Sequence, residues 1–261
     1  MFDFHMHTCV SFDTDSSALD IALAAKKAGL VEICFTDHQD YGCYPWQDGF
    51  LICLEEYHRA YDSLSVPGLT IRKGIEIGLA DWNVKEVNQF LGAENFDFVI
   101  GSVHMVDGHN AYLEGYWQGK TPQQAFARYL EHTLECVKCH NNFDVLGHLT
   151  FVAKSLHNMS AKGVDYREYR DIADEILKIL VDKGIGLEIN TSAYDRIRDF
   201  LPSADYLRRY KELGGSIVTV GSDAHNSHKV GVHIDSALTL AKDIFGHVCT
   251  FENRKPKFHK L

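Results

Sequence analysis

The chain has 261 residues, 45% hydrophobic and 24% charged, with a formal net charge of −10. That length suits one large domain over residues 1–261 better than two small ones, and the composition is that of an ordinary soluble protein. The acidic balance argues against a duplex-binding surface, and no apolar run reaches the length of a membrane span.

Short apolar runs rich in β-branched and aromatic residues alternate with longer amphipathic segments. The first predicted strand, FDFHMH, lies near residues 2–7. DSSALDIALAAKKAGL then predicts a helix, with Asp15, Ser16 and Ser17 as N-cap candidates and Gly29 as its stop. Strands follow near 31–38 (VEICFTDH), 69–78 (LTIRKGIEIG) and 96–104 (FDFVIGSVH). TPQQAFARYLEHTLECVKC predicts a helix opened by Thr121, with Pro122 at the first helical position and Gln124 completing a capping box. Phe126, Leu130, Thr133 and Val137 share one of its faces. Three further strands lie near 143–149 (FDVLGHL), 184–190 (GIGLEIN) and 215–225 (GSIVTVGSDAH). They alternate with the helical patterns DYREYRDIADEILKILVDKG, SADYLRRYKELGG and DSALTLAKDIFG. Roughly seven strands, each followed by a helix, predict parallel strands joined by right-handed crossovers and closed into a TIM-like α/β barrel. An open doubly wound sheet is the competing fold, but no glycine-rich phosphate loop supports it.

Nothing ahead of His5 has the pattern of a signal peptide, so the expected compartment is the cytosol. There the seven cysteines, Cys9, Cys34, Cys43, Cys53, Cys136, Cys139 and Cys249, read as reduced thiols. Cys136-Val137-Lys138-Cys139-His140 matches a haem-attachment pattern, but its place inside an amphipathic helix argues for ordinary thiols.

Residues able to do chemistry fall at the predicted strand ends. They are His5 and His7 on the first, Asp37 and His38 on the second, Glu76 in the third and His104 on the fourth. His148 follows on the fifth, Glu188 and Asn190 on the sixth, and Asp223 and His225 on the seventh. In a barrel the C-terminal strand ends share one mouth, so these side chains converge. His5 and His7, at period two, share one side of their strand, about 6–7 Å apart and within reach of one metal ion. A surface strand edge is the alternative. Glu76, between Ile75 and Ile77, faces the barrel interior and needs a partner there, a metal or a lysine. Taken singly, His104, His148 and His225 read as hydrogen-bonded core residues. Imidazole or carboxylate at nearly every strand end points instead to a multi-metal site.

The segments HMHTCVSFD, FTDH, GIEIG, GSVH, LGHL, LEINTS and GSDAH, in that order over residues 5–225, resemble the polymerase-and-histidinol-phosphatase (PHP) family of metal-dependent phosphoesterases. The Leu201-Pro202-Ser203 link and the closing TFENRKP resemble its stand-alone histidinol-phosphatase branch. The resemblance implies a distorted TIM-like (β/α)7 barrel holding three divalent metal ions. It implies a first ion on His5, His7, Glu76 and Asp223, a second on Glu76, His104 and His148, and a third on Asp13, His38 and His225. Asp15 competes with Asp13, and helix capping is the other role open to either. Glu76, His38 and Asp223 are the implied catalytic residues. Asp37 is expected to support His38, with Glu188 and Asn190 also behind the ligands. Nitrogen and oxygen ligation without thiolate suits Zn, Fe, Mn or Co.

Bound cations reverse the local field of an acidic protein and suit a phosphate. The implied reaction is hydrolysis of L-histidinol phosphate to L-histidinol and phosphate, a step of histidine biosynthesis, with a hydroxide held between two ions as nucleophile. The alternatives are another small phosphomonoester or nucleotide as substrate, an amidohydrolase, and a non-catalytic metal-dependent module. The expected partner is a small phosphate ester, with neither nucleic acid nor membrane. Arg196, Arg198 and Lys154 are the candidate phosphate contacts. Here the chain departs from the family pattern, in which an arginine follows the NTS turn sooner and an acidic residue often follows GHL. This chain has Asp195 ahead of Arg196, and Thr150 after Leu149.

Overall fold

Parallel strands buried on both faces are near-continuous apolar runs, and the runs marked above become the barrel wall. The computed structural model describes residues 1–42, 50–159 and 162–261, so Cys43 lies outside the described residues. The wall consists of β1 (Phe2–Asp3), β2 (Glu32–Phe35), β3 (Thr70–Gly78), β4 (Phe98–Ser102), β5 (Val145–Leu146), β6 (Gly186–Asn190) and β7 (Val218–Gly221). These strands pair in chain order, all parallel. The ring closes between β1 and β7 through Phe4 N to Val220 O (2.9 Å), Asp223 N to His5 O (2.8 Å) and His7 N to Ala224 O (2.9 Å). Closure excludes the open sheet. A helix follows each strand: α1 (Ala18–Lys27), α2 (Leu54–Tyr61), α3 (Val84–Leu91), α4 (Pro122–Cys139), α5 (Arg170–Asp182), α6 (Ala204–Glu212) and α7 (Ile234–Phe245).

Local signals act as their chemistry dictates. Ser17 caps α1, accepting from Asp20 N at 3.1 Å. Thr121 and Gln124 cap α4 reciprocally, at 2.8 and 3.3 Å, and Phe126, Leu130, Thr133 and Val137 are buried along it. Cys136 is buried within α4, where desolvation pushes its thiol up, as expected of an inert structural cysteine. The strands are shorter than the apolar runs suggest. Beyond the last ladder bond the chain leaves the sheet, with His148 at φ 20° and Asp223 at φ 53°, conformations a strand cannot hold. Helices α2 and α3 escape the sequence reading because each buries only two side chains, Tyr57 and Tyr61 or Val87 and Leu91.

A C-terminal hairpin, β8 (His247–Glu252) with β9 (Lys255–Lys260), is a further element not predicted. It plugs one end of the barrel. Phe4, Cys34, Phe98, Ile100 and Val145 form a core inside the ring, and Cys249 and Phe251 of β8 complete it. The Phe251 and Phe98 rings lie 4.8 Å apart. Asp97 and Asp144, just ahead of β4 and β5, hold the hairpin turn: Asn253 N and Arg254 N donate to Asp97 at 3.0 and 2.9 Å, and Arg254 Nε donates to Asp144 at 2.6 Å. The plug therefore sits at the N-terminal strand ends and leaves the C-terminal mouth free. Phe251→Ala should lower the unfolding free energy by about 3–5 kcal/mol, read by urea denaturation. A loss no larger than that of an exposed surface substitution would show the hairpin to be an appendage.

Candidate metal centre

Strand ends deliver the polar residues to the free mouth. His5 and His7 lie just past β1 and are fully buried, as is Glu76 in β3. A short continuation of the second strand, His38–Gln39, pairs with β3 and sets His38 opposite Glu76. Glu76 then stands among five imidazoles. Its Oε2 is 3.2 Å from His5 Nε2, 3.6 Å from His7 Nε2 and 3.0 Å from His38 Nδ1. Its Oε1 is 2.9 Å from His148 Nε2 and 3.4 Å from His104 Nε2. From the seventh strand end, Asp223 Oδ1 is 3.3 Å from His7 Nε2, 3.8 Å from His5 Nε2 and 3.5 Å from His225 Nδ1. Asp13, in the loop after β1, reaches His225 Nε2 at 2.8 Å and His38 Nε2 at 3.5 Å. Its competitor Asp15 makes no ion pair with these imidazoles among the described residues.

The donor set fits divalent cations. His5 Nε2, His7 Nε2, His38 Nδ1 and Glu76 Oε2 are buried and make no hydrogen bond among the described residues. Four groups bring their donor atoms within 4.8 Å of one another: His5, His7 and Asp223; His5, Glu76 and His148; His38, Asp40 and His104; and His7, His38 and His225. Buried lone pairs without partners are rare, and ligand bonds of ~2 Å to a shared ion account for such spacing.

Without a cation, protons compensate the charge. Burial pushes Glu76 up, but His5, His104 and His38 outweigh it and hold the carboxyl well below its usual range. Burial pulls His104 down, yet Asp40 and Glu76 raise it to about 9. Burial opposes a charge on His5 too, and Glu188, Glu76 and Asp223 together keep it above its ordinary value. His7 goes the other way, lowered by burial and by its neighbours His225 and His38. Cation uptake must therefore displace protons.

Supporting groups orient the imidazoles. Glu188 Oε1 is 2.7 Å from His5 Nδ1, while its Oε2 accepts from His148 N at 2.8 Å and Asn190 Nδ2 at 3.1 Å. A Cβ on Gly221 would fall 2.2 Å from Glu188 Oε1 and 2.4 Å from His5 Cβ, so only glycine fits there. Asn190 Oδ1 in turn accepts from Ser192 N and Oγ at 3.0 and 2.6 Å. The expected support of His38 by Asp37 takes a different form. Asp37 accepts from Thr8 N at 2.8 Å, Ser11 Oγ at 3.0 Å and Tyr61 Oη. It reaches His38 only through Ser11, whose Oγ accepts His38 N–H at 3.0 Å and lies 3.3 Å from His7 Nδ1. The carboxylate beside the His38 ring is Asp40, with Oδ2 3.4 Å from His38 Nδ1 and Oδ1 3.0 Å from His104 Nδ1. Sequence reasoning missed Asp40 and also Ser102, which donates to Glu76 Oε1 at 2.6 Å. The signal for Asp40 was its period-two offset from His38.

A pocket of about 350 Å³ covers the centre, walled by Phe12, Phe50, Met105, Tyr112 and Phe151. Of the three candidate cations only Lys154 lines it, with Nζ 2.7 Å from Asp223 Oδ2. Arg196, in the short helix Tyr194–Ile197, is partly buried, and its Nη1 has no hydrogen-bond partner among the described residues. Arg198 is exposed at φ 57° and is not part of the pocket wall; the chain after it turns back inward, to the buried Phe200 and Leu201.

A closed barrel with imidazoles and carboxylates converging at its strand ends defines a metal-site barrel protein. The PHP domain model matches residues 3–192. The chain is 34% identical to the histidinol-phosphatase of Lactococcus lactis, over 97% of this chain and 95% of that one. It is 30% identical to a Clostridium acetobutylicum protein named "Probable histidinol-phosphatase", over 99% of each. The crystal structure of L. lactis histidinol phosphate phosphatase complexed with zinc, L-histidinol and phosphate superposes with a TM-score of 0.88, at 32% identity and over 98% of both chains. The chain belongs to the PHP family. Because Glu188 fixes the His5 ring, Glu188→Gln should weaken metal affinity about 10–100-fold, read by chelator competition, with unchanged circular dichroism. Wild-type affinity in that variant would remove Glu188 from the site's support.

Proposed function

We propose that this chain, working as one domain over residues 1–261, is a metal-dependent phosphomonoesterase that hydrolyses L-histidinol phosphate to L-histidinol and phosphate. The observation that carries the reading is Glu76, buried among five imidazoles beneath a pocket at the barrel mouth. Similarity over nearly the whole length to proteins named histidinol-phosphatase supports the substrate. In this reading His5, His7, Glu76 and Asp223 hold one divalent ion, Glu76, His104 and His148 a second, and Asp13, His38 and His225 a third. Asp40 stands beside the last two groups. The zinc in the L. lactis complex favours zinc among Zn, Fe, Mn and Co.

Such ions supply Lewis acidity and a water acidified toward neutrality. The chain's own side chains do the rest. Glu76, His38 and Asp223 bind at the reacting centre, while Glu188 and Ser102 fix the His5 ring and the Glu76 carboxylate. Burial works against the Lys154 charge, but Asp223 keeps its ammonium charged and stationary at the pocket wall, ready for a phosphate oxygen. Neither Arg196, whose Nη1 is buried, nor Arg198 lines that pocket, so Lys154 is the phosphate contact on which this reading rests. The aromatic wall excludes water and offers a flat surface to the imidazole of the substrate. The partner is thus a small phosphate ester, and the net charge of −10 disfavours nucleic acid. Among the described residues no helix is long and apolar enough to cross a membrane, and a biosynthetic role fits the cytosol.

Metal-loaded protein should release phosphate from L-histidinol phosphate. Chelation should abolish the activity, and metal should restore it. Glu76→Gln should cut kcat by at least about a hundredfold, the scale of removing one group that stabilises the transition state. Unchanged turnover in Glu76→Gln would end the mechanism. Turnover of other small phosphomonoesters but not of histidinol phosphate would remove only the substrate.

A further inference from the structure

We propose that Asp3 is a positioning residue that sets Asp223 and His225 in the metal centre by pinning both ends of the loop that carries them. The inference rests on the metal-site reading above. Asp3 lies in β1, is fully buried and points its carboxylate at backbone donors. Its Oδ1 accepts from Ser222 N at 2.9 Å and, more weakly, from His5 N at 3.4 Å; its Oδ2 accepts from Gly231 N at 3.1 Å. Ser222 follows β7 directly, and Gly231 lies nine positions later, near the start of α7. One carboxylate therefore ties both ends of the segment holding Asp223 and His225 to the first strand.

That segment needs such a tie. Asp223 sits at φ 53°, a left-handed conformation costly for a residue other than glycine, and such strain persists only where the surroundings over-determine it. The bond from Asp223 N to His5 O fixes one side of the peptide. Asp3 fixes the residue before it and closes the far end of the loop. A relaxed Asp223 would take its Oδ1 away from His7 and His5, 3.3 and 3.8 Å distant, and its Oδ2 away from Lys154. The chemistry also specifies aspartate. Both oxygens accept, whereas asparagine offers one acceptor and would set its amide against a backbone donor.

The test is Asp3→Asn in the full chain, titrated with Zn²⁺ against a chromophoric chelator at a temperature where circular dichroism shows the fold intact. The expected result is metal affinity lowered about 10–100-fold, reduced kcat at low metal with partial recovery at saturation, and faster amide exchange confined to residues 222–231. Phe251→Ala is the control: it weakens the fold from the other end of the barrel and should hold Zn²⁺ with wild-type affinity. Should Asp3→Asn not fold, Asp3→Glu, which keeps the charge but displaces the oxygens, carries the same expectation. Wild-type affinity and exchange in either variant overturn the proposal. So would a loss of affinity matched by Phe251→Ala, since the effect would then track general stability. If the wild-type chain binds no Zn²⁺, the metal-site reading itself fails and takes this inference with it.

Discussion

A carboxylate sealed from water must be neutralised, and the whole mouth of this barrel is arranged around doing that for Glu76. No lysine or arginine meets it among the described residues within ion-pair distance; the contacts are five imidazoles. The neighbouring carboxylates favour a charge on His5, His38 and His104, while burial holds His7 and His148 toward the neutral form a metal requires. Because the rings come from strand ends spread along the chain, they meet only if the ring of strands closes. The bonds that close it, Asp223 N to His5 O and His7 N to Ala224 O, involve the ligands or their direct neighbours. Closing the ring therefore also assembles the site, so in the proposed reading ion binding stabilises the closed barrel.

The charge pattern follows from the same constraint. The protein is acidic overall, yet in the proposed reading its pocket accepts a dianionic ester. Cations at the centre reverse the field locally, and Lys154 extends the reversal to the pocket wall while Asp223 holds it in place. Rigidity then comes from the residues behind the ligands. Glu188 bonds to the His5 ring and the His148 backbone at once, linking the first and fifth strand ends. Room for it exists because the neighbouring strand carries glycine: a Cβ on Gly221 would overlap Glu188 itself.

How much of this could be read from residues alone depended on what fixes each feature. Barrel strands were legible because burial on both faces forces apolar runs. The convergence of imidazoles and carboxylates was legible because topology alone brings strand ends together. Ser102 was not, since its role arises between neighbouring strands whose lateral register no local pattern encodes, and Asp40 left only its period-two offset from His38. Asp37 was expected behind His38 and reaches it through Ser11, for a related reason. Its neighbour in sequence is His38, but the strand turns its side chain toward Thr8, Ser11 and Tyr61. Arg198 ends a short helix in a left-handed conformation, exposed and off the pocket wall, a placement that no local pattern announces. The closing hairpin was hidden by its own edge strand, where lysines at Lys255, Lys257 and Lys260 mask the pairing and also discourage edge-to-edge association.

Two ends of one barrel therefore answer to different demands. At the N-terminal end, aromatic and aliphatic side chains fill the ring and the hairpin seals it, so packing sets the geometry. At the C-terminal end the ladder stops early, and the backbone turns through left-handed residues at His148 and Asp223 to aim polar groups at a common centre. That arrangement spends conformational strain where ligands must converge. The strain also explains the brevity of β5: every further ladder bond would hold His148 in the plane of the wall, away from Glu76.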